Sequence, residues 1–158
     1  MNNIFSYDVG KKTMFVYDSS KPIVIRKKGE KKDARVYNPH EYSLEDFINL
    51  NIHGLKDGDI MIGEDAHMRE SHKQTTAQPF SFKELVSFDE NTRSRNITTR
   101  LFPHHSTPKA RLLTGHEDKG DAVDAISIAQ FVNLDKNVFK TLKHFKPTRM
   151  ENYQNDNK

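Results

Sequence analysis

The chain has 158 residues, of which 34% are hydrophobic and 30% charged, a composition that suits one folded domain with a polar surface. It contains no cysteine, which excludes disulfides and thiolate metal sites and fits a reducing compartment such as the cytoplasm. The sequence has no apolar run near the ~20 residues of a membrane span, and its amino terminus does not look like a secretory signal, so we expect no membrane partner.

The basic residues are unevenly distributed, although the formal net charge is only +3. Lysine and arginine concentrate in residues 26–35 and again in residues 136–149. Basic patches on a protein surface favour a polyanion such as nucleic acid, while a solvated loop and tail would have the same composition. The predicted contacts with the DNA backbone in the first patch are Lys27, Lys28, Lys31 and Lys32.

The amino-terminal region predicts an antiparallel meander of three strands. Residues 4–9 and 13–17 are apolar and rich in β-formers, and Gly10 permits a tight turn between them. A third strand is predicted at residues 23–25, after a turn that ends at Pro22. Connections this short can join only antiparallel neighbours.

The next elements bring two acidic residues to one edge of the sheet. Ser43 is a good N-cap for a helix over residues 43–52, and residues 59–64 form a compact apolar strand. The intervening helix makes a crossover, so this fourth strand can run parallel to the first. Asp8 and Glu64 then end neighbouring strands at the edge where open α/β sheets bind ligands.

The rest of the chain predicts further helices and one strand. Residues 65–80 are polar, without clear periodicity, and predict a mobile loop beside the site. There follow a helix over 81–94, a strand over 96–102, a short helix that begins at 106–108, a helix that begins near residue 121, and a final helix over 135–144. The domain should span residues 1–146, and residues 147–158 are predicted to be a disordered tail.

Asp121 and Asp124 lie three residues apart at the start of a helix rich in small and apolar residues. Their carboxylates share one helix face in the first turn, where negative charge is tolerated. Such a pair alone is more often a helix cap than a functional site. Two adjacent carboxylates on an otherwise apolar helix are costly, however, unless a cation neutralises them. The motif therefore indicates a metal site with carboxylates from elsewhere in the chain.

Taken together, the element order β-β-β-α-β-α-β-α and the positions of the acids resemble the RNase H-like fold of the retroviral-integrase superfamily. Three segments resemble RuvC-type Holliday junction resolvases: Asp8-Val9-Gly10, Ile60-Met61-Ile62-Gly63-Glu64 and Asp121-Ala122-Val123-Asp124-Ala125. The stretch from Phe102 to Gly115 is also similar to that family. The resemblance covers nearly the whole chain and implies an α/β protein with a mixed five-stranded sheet flanked by helices.

The resemblance also implies a chemistry. Asp8, Glu64, Asp121 and Asp124 would be the catalytic residues and the ligands of two Mg²⁺ ions, for which Mn²⁺ can substitute. Asp8 is the best candidate for the bridging ligand, because a central strand can hold it rigidly. Without metal, repulsion should raise the pKa of at least one of these acids and destabilise the fold.

The expected function is that of a Mg²⁺-dependent, structure-selective DNA endonuclease that resolves four-way junctions. The expected location is the cytoplasm, or the DNA-containing compartment of a microbial or virus-infected cell. Symmetric cutting requires two active sites and hence a homodimer. The helix over 81–94 is the candidate interface, because its apolar residues exceed one narrow stripe. Those residues are Phe82, Leu85, Val86 and Phe88.

Further residues near the site are predicted to contact DNA. The basic candidates for phosphate contacts are Lys109, Arg111 and Lys119, and Phe80 could stack on unpaired bases. The histidines in the same region are His67, His72, His104 and His105, but a metal or general-base role is not their expected one.

Two alternative functions remain open. The Lys11-Lys12-Thr13 run after Gly10 departs from the RuvC pattern and resembles the catalytic domain of DEDD transposases, although only over this region. The first alternative is thus a transposase-like or general DNA-processing nuclease. The second is a nucleic-acid-binding protein with a vestigial RNase H-like site, which the presence of all four acids disfavours.

Overall fold

The computed structural model describes residues 2–10, 12–22, 39–70, 78–113, 121–134 and 136–147, with side chains omitted for Leu112, Leu113, Asp121, Ala122 and Lys136. Several predictions lie outside the described residues. They are the strand at 23–25, the tail after Pro147, Lys27, Lys28, Lys31, Lys32, His72 and Lys119.

A mixed sheet with helices on both faces forms the fold, and the α/β prediction is confirmed at this level. The strands are β1 (Ile4–Val9), β2 (Thr13–Asp18), β3 (His40–Ser43), β4 (Ile60–Glu64), β5 (Thr98–Phe102) and β6 (Lys143–His144). The helices are α1 (Leu44–Ile48), α2 (Phe82–Ser94), α3 (Thr107–Leu113), α4 (Asp121–Leu134) and α5 (Lys136–Thr141).

The order of strands across the sheet is β3-β2-β1-β4-β5-β6. β1, β2 and β3 pair antiparallel, whereas β4 runs parallel to β1 and β5 runs parallel to β4. The predicted crossover is therefore confirmed. Tyr7 is opposite Gly63 in the β1–β4 register, so the next residues along the two strands, Asp8 and Glu64, end neighbouring strands at one edge.

The number of strands differs from the prediction. The sheet has six strands rather than five, because β6 adds to β5 in antiparallel orientation after a final helix that ends earlier than expected. β6 consists of two exposed polar residues, so the sequence has no apolar alternation there that would predict a strand. The strand is defined by its pairing with Arg100 and Leu101. Among the described residues, the third strand is β3.

Two apolar layers cover the sheet. Phe5, Tyr7 and Met61 pack on one face with α1 and α2, through Phe47 and Phe88. Because successive side chains of a strand point to opposite faces, their neighbours lie on the other face, where Ile62 packs against α3 and α4. Ala125 and Ala129 of α4 are fully buried, which lets that helix lie close to the strands.

The start of α2 explains why Phe80 is not available to DNA bases. Ser81 and Glu84 form a capping box, in which each side chain accepts a hydrogen bond from the other residue's backbone N–H. Phe80 precedes the cap, the position that packs against the fourth helical residue in a hydrophobic staple, here Leu85. Both side chains are fully buried in one cluster, and the Phe80 ring stacks on Phe47 at 5.9 Å. The stacking role predicted for Phe80 was wrong.

The remaining surface of α2 is smaller than the sequence suggests. Leu85 and Phe88 are fully buried in the core, whereas Phe82 and Val86 are partly exposed. The face that could contact a second copy is therefore reduced to those two side chains. None of the described helices has the length and apolar character that a membrane crossing would require.

Candidate functional site

The carboxyl ends of β1 and β4 bring two acidic side chains together with a histidine. His67 Nε2 lies 2.8 Å from Asp8 Oδ1 and 3.1 Å from Glu64 Oε2. Asp8 is only 3% exposed and His67 9%. Within the described part of the chain, these three side chains form the one group whose ligand atoms, all within 4.8 Å of one another, could hold a metal ion.

A tight turn places His67 in this group. Asp65–His67 form a 3₁₀ turn directly after β4, with Glu64 as its N-cap. Since this helix type has three residues per turn, residues three apart lie one above the other. Glu64 and His67 are related in this way, and the next residue, Met68, is buried in the core and anchors the end of the turn.

Glu64 receives a second hydrogen bond from Thr107, the first residue of α3, whose hydroxyl donates to Oε1. Burial by itself raises the pKa of Glu64, but the hydrogen bonds from His67 and Thr107 and the nearby positive charge of His67 and His104 outweigh it. The net effect holds the pKa of Glu64 below its ordinary value. Glu64 is therefore not an acid whose pKa carboxylate repulsion raises, because these donors favour its charged form.

α4 brings Asp124 over the same face of the sheet. The hydroxyl of Ser6, on the face of β1 that also carries Asp8, donates to the carbonyl of Ala125. This buried contact attaches the first turn of α4 to β1, next to Asp124. Arg111 of α3 reaches this turn, and its Nε lies 3.2 Å from Asp124 Oδ1.

The structure unites part of the predicted acidic set. Asp8 and Glu64 belong to one cluster, whereas Asp124 is paired with Arg111 and is not in the group of three. Asp121 begins α4, but its side chain is outside the described atoms. Arg111 is turned toward Asp124 with its side chain only 15% exposed, so it orients a carboxylate rather than facing solvent. Lys109 is exposed on α3.

Sequence reasoning did not anticipate the roles of His67 and Thr107. His67 and Thr107 are far from Asp8 in the sequence, and they lie near the site only in the folded chain. The spacing of His67 could have indicated its role. A histidine three residues after a strand-end glutamate lies next to that glutamate if the chain enters a 3₁₀ turn. For Thr107 the sequence predicts only a place at the start of a helix.

A cleft of about 510 Å³ opens beside the site, beyond β5 and β6. Its floor is apolar, with Leu101, Pro103 and Leu142, and it carries one acidic residue, Asp65, which follows Glu64 directly. Its basic and titratable residues are Arg69, His105, Lys143, His144 and Lys146. Arg69 and His104 approach the Asp65 carboxylate, at 3.7 and 3.3 Å, which reduces the negative charge at the cleft's inner end.

The donor set of the cluster fits a divalent cation. Carboxylates are ligands of Mg²⁺, Mn²⁺ and Zn²⁺ in proteins, whereas an imidazole suits transition ions such as Zn²⁺. Thr107 holds the second oxygen of Glu64, as outer hydrogen bonds commonly orient metal ligands. Comparisons of the chain with family models, with curated proteins and with solved structures found no match.

Proposed function

We propose that this protein is a metal-dependent endonuclease with an RNase H-like fold, and that it resolves four-way DNA junctions. The observation that carries the proposal is the meeting of Asp8 and Glu64 at the carboxyl edge of two parallel strands, buried together with His67. The element order that led to the RuvC resemblance is also present from β1 to β5.

The metal ligands would be Asp8 and Glu64, joined by Asp121 and Asp124 of α4. When bound, divalent ions supply Lewis-acid stabilisation of the charge that develops in phosphodiester hydrolysis. The protein's own residues prepare the site. Thr107 orients Glu64 through a hydrogen bond, and Arg111 supplies a counter-charge beside Asp124. Burial of Asp8 and His67 limits access of bulk water on the sheet side.

The basic cleft supports a polyanionic substrate. Asp65 lines this cleft and directly follows Glu64 in the chain, so a strand bound there could extend toward the acidic cluster. Lys143 and Lys146 are exposed and can contact phosphates, while the apolar floor suits sugar or base surfaces. A charged rim of this kind is unnecessary for a small neutral substrate.

A gel assay on four-way junction, flap, duplex and single strand, each with Mg²⁺, with Mn²⁺ and with chelator, tests the proposal. We expect metal-dependent paired nicks in the four-way junction and little cutting of plain duplex. Asp8→Asn should abolish cleavage and preserve junction binding, because it removes a ligand without changing shape. The control, Asp57→Asn, alters an exposed acid before β4, at the opposite end of that strand, and should cut normally.

The other results would identify the alternatives. Cutting of flaps or duplex in preference to junctions would indicate a general or transposase-like nuclease, and binding without cutting under any metal would indicate a vestigial site. Paired nicks also require two sites, so we propose a homodimer. Sedimentation should show a dimer on junction DNA, and a strict monomer there would count against a resolvase.

A further inference from the structure

His67 occupies the position between the two strand-end carboxylates, where a metal ion would be held. Its Nε2 atom is the one ring atom that faces both Asp8 and Glu64. The side chain is 11% exposed, and Met68 anchors the turn that carries it. A mobile surface histidine would not be fixed in this way.

The spacing of the three side chains suits direct coordination. Adjacent ligands on an octahedral ion with bonds of about 2.1 Å lie about 3 Å apart. The Nε2 distances to the two carboxylate oxygens are 2.8 and 3.1 Å. The imidazole can therefore share an ion with either carboxylate after small movements, once the Nε2 proton is lost to solvent.

We propose that His67 is a nitrogen ligand of the metal centre and makes this centre select a first-row transition ion over Mg²⁺. This rests on the proposed function insofar as the two acids are metal ligands. Mg²⁺ prefers oxygen ligands and retains its waters, whereas imidazole favours transition ions. A centre of acids alone would lack this preference.

Pulsed EPR on the full chain loaded with one equivalent of Mn²⁺ tests the proposal directly. We expect the ¹⁴N modulation of a directly bound imidazole in the wild type, and its loss in His67→Gln. The matched controls are His104→Gln and His105→Gln, which remove exposed neighbouring imidazoles and should keep the signal. Mn²⁺ bound without nitrogen coupling in the wild type, or coupling that persists in His67→Gln, would overturn the assignment.

Binding titrations with each ion separate a ligand from a competing cation. If His67 is a ligand, His67→Gln should weaken Mn²⁺ binding at least about tenfold, the lower end of what loss of an outer-shell partner costs. Mg²⁺ binding should be unchanged or tighter, because the carboxylates lose a competing donor. Tighter binding of both ions would refute the proposal. If His67→Gln fails to fold, absence of nitrogen coupling in the wild type still overturns the assignment, and coupling that survives in both His104→Gln and His105→Gln still supports it.

The two proposals can fail separately. Nitrogen-coordinated Mn²⁺ in a protein that cuts no DNA would overturn the nuclease and leave the ligand assignment intact. Metal-dependent cleavage without nitrogen coupling would overturn the ligand assignment and leave the nuclease proposal intact. Absence of any Mn²⁺ binding would overturn the assignment of His67.

Discussion

At the scale of single residues, the site carries its own counter-charges. Buried charges are costly unless they are paired and hydrogen-bonded. Asp8 is paired with His67, Glu64 with His67 and Thr107, and Asp124 with Arg111. The protein can therefore hold Asp8 and Glu64 close together without a metal ion, and an ion that bound there would have to replace contacts that already exist.

Glu64 gives this balance a measurable dependence on pH. Its pKa in the folded protein lies below the ordinary value of 4.5, so its ionised form stabilises the fold. This contribution is fully present above about pH 4.5 and is lost as the pH falls through the lower, folded pKa. In metal-free protein, urea unfolding should therefore show that the stability difference between wild type and Glu64→Gln shrinks as the medium is acidified.

Thr107 supplies the control for this prediction. Thr107→Val keeps the shape but removes the hydroxyl that donates to Glu64, so the contribution of the ionised Glu64 should be smaller and its loss in acid complete at a higher pH. A hydrogen bond to a charged group contributes about 1.5–3 kcal/mol, and this sets the scale of the change near neutrality. Thr107→Ser retains the hydroxyl and should behave more like wild type. A Glu64→Gln difference that stays constant with pH would contradict the argument.

At the scale of the elements, the close packing of β1 on β4 depends on Gly63. The two strands pair with Tyr7 opposite Gly63, and the buried Tyr7 ring lies over the glycine. A methyl group there would overlap this ring, which is held in turn by Phe47 and Phe88. Gly63→Ala should cost about 1–3 kcal/mol of stability, as overpacked cores usually do. Because Glu64 is the next residue, Mn²⁺ affinity should fall as well.

A double variant tests whether this clash is the cause. Tyr7→Leu removes the ring and leaves a cavity, so alone it is destabilising. In combination with Gly63→Ala, however, part of the loss should be recovered, because the added methyl has space. Denaturant unfolding of the four proteins gives the interaction energy. Strictly additive losses would show that the Tyr7 ring is not what excludes a side chain at position 63.

What the sequence predicts well is local pattern. The apolar runs of β1, β2, β4 and β5, and the cap Ser43, correspond to elements of the fold, so the strand-end positions of Asp8 and Glu64 could be foreseen. Contacts between distant segments could not. β6 exists only through pairing with β5, and Phe80 is buried only because the α2 cap turns it inward. His67 meets Asp8 across 59 residues of chain.

At the scale of the whole molecule, the link between the acidic cluster and the basic cleft is Asp65, which follows Glu64 in the chain and lines the cleft. The cleft gathers basic and titratable residues from three separate segments, with Arg69 from the segment after β4, His105 from the turn after β5, and Lys143 and Lys146 from the segment around β6. A composition with a net charge of only +3 would not by itself reveal such a surface. A polyanion bound to these basic residues could approach the site along the cleft, because they would hold its phosphates away from the carboxylates.

The salt dependence of DNA binding tests whether the cleft is the contact surface. Lys143→Gln together with Lys146→Gln should weaken binding, measured by fluorescence anisotropy in chelator, and should reduce the slope of log affinity against log salt. Each lost phosphate contact lowers that slope by about 0.9 on duplex and about 0.7 on single strand, so the pair should lower it by up to about 1.8. The matched control is Lys56→Gln with Lys83→Gln, two exposed lysines that line other depressions. An equal change in both pairs would mean that only net charge matters, and an unchanged slope in the first pair would remove the cleft from the DNA path.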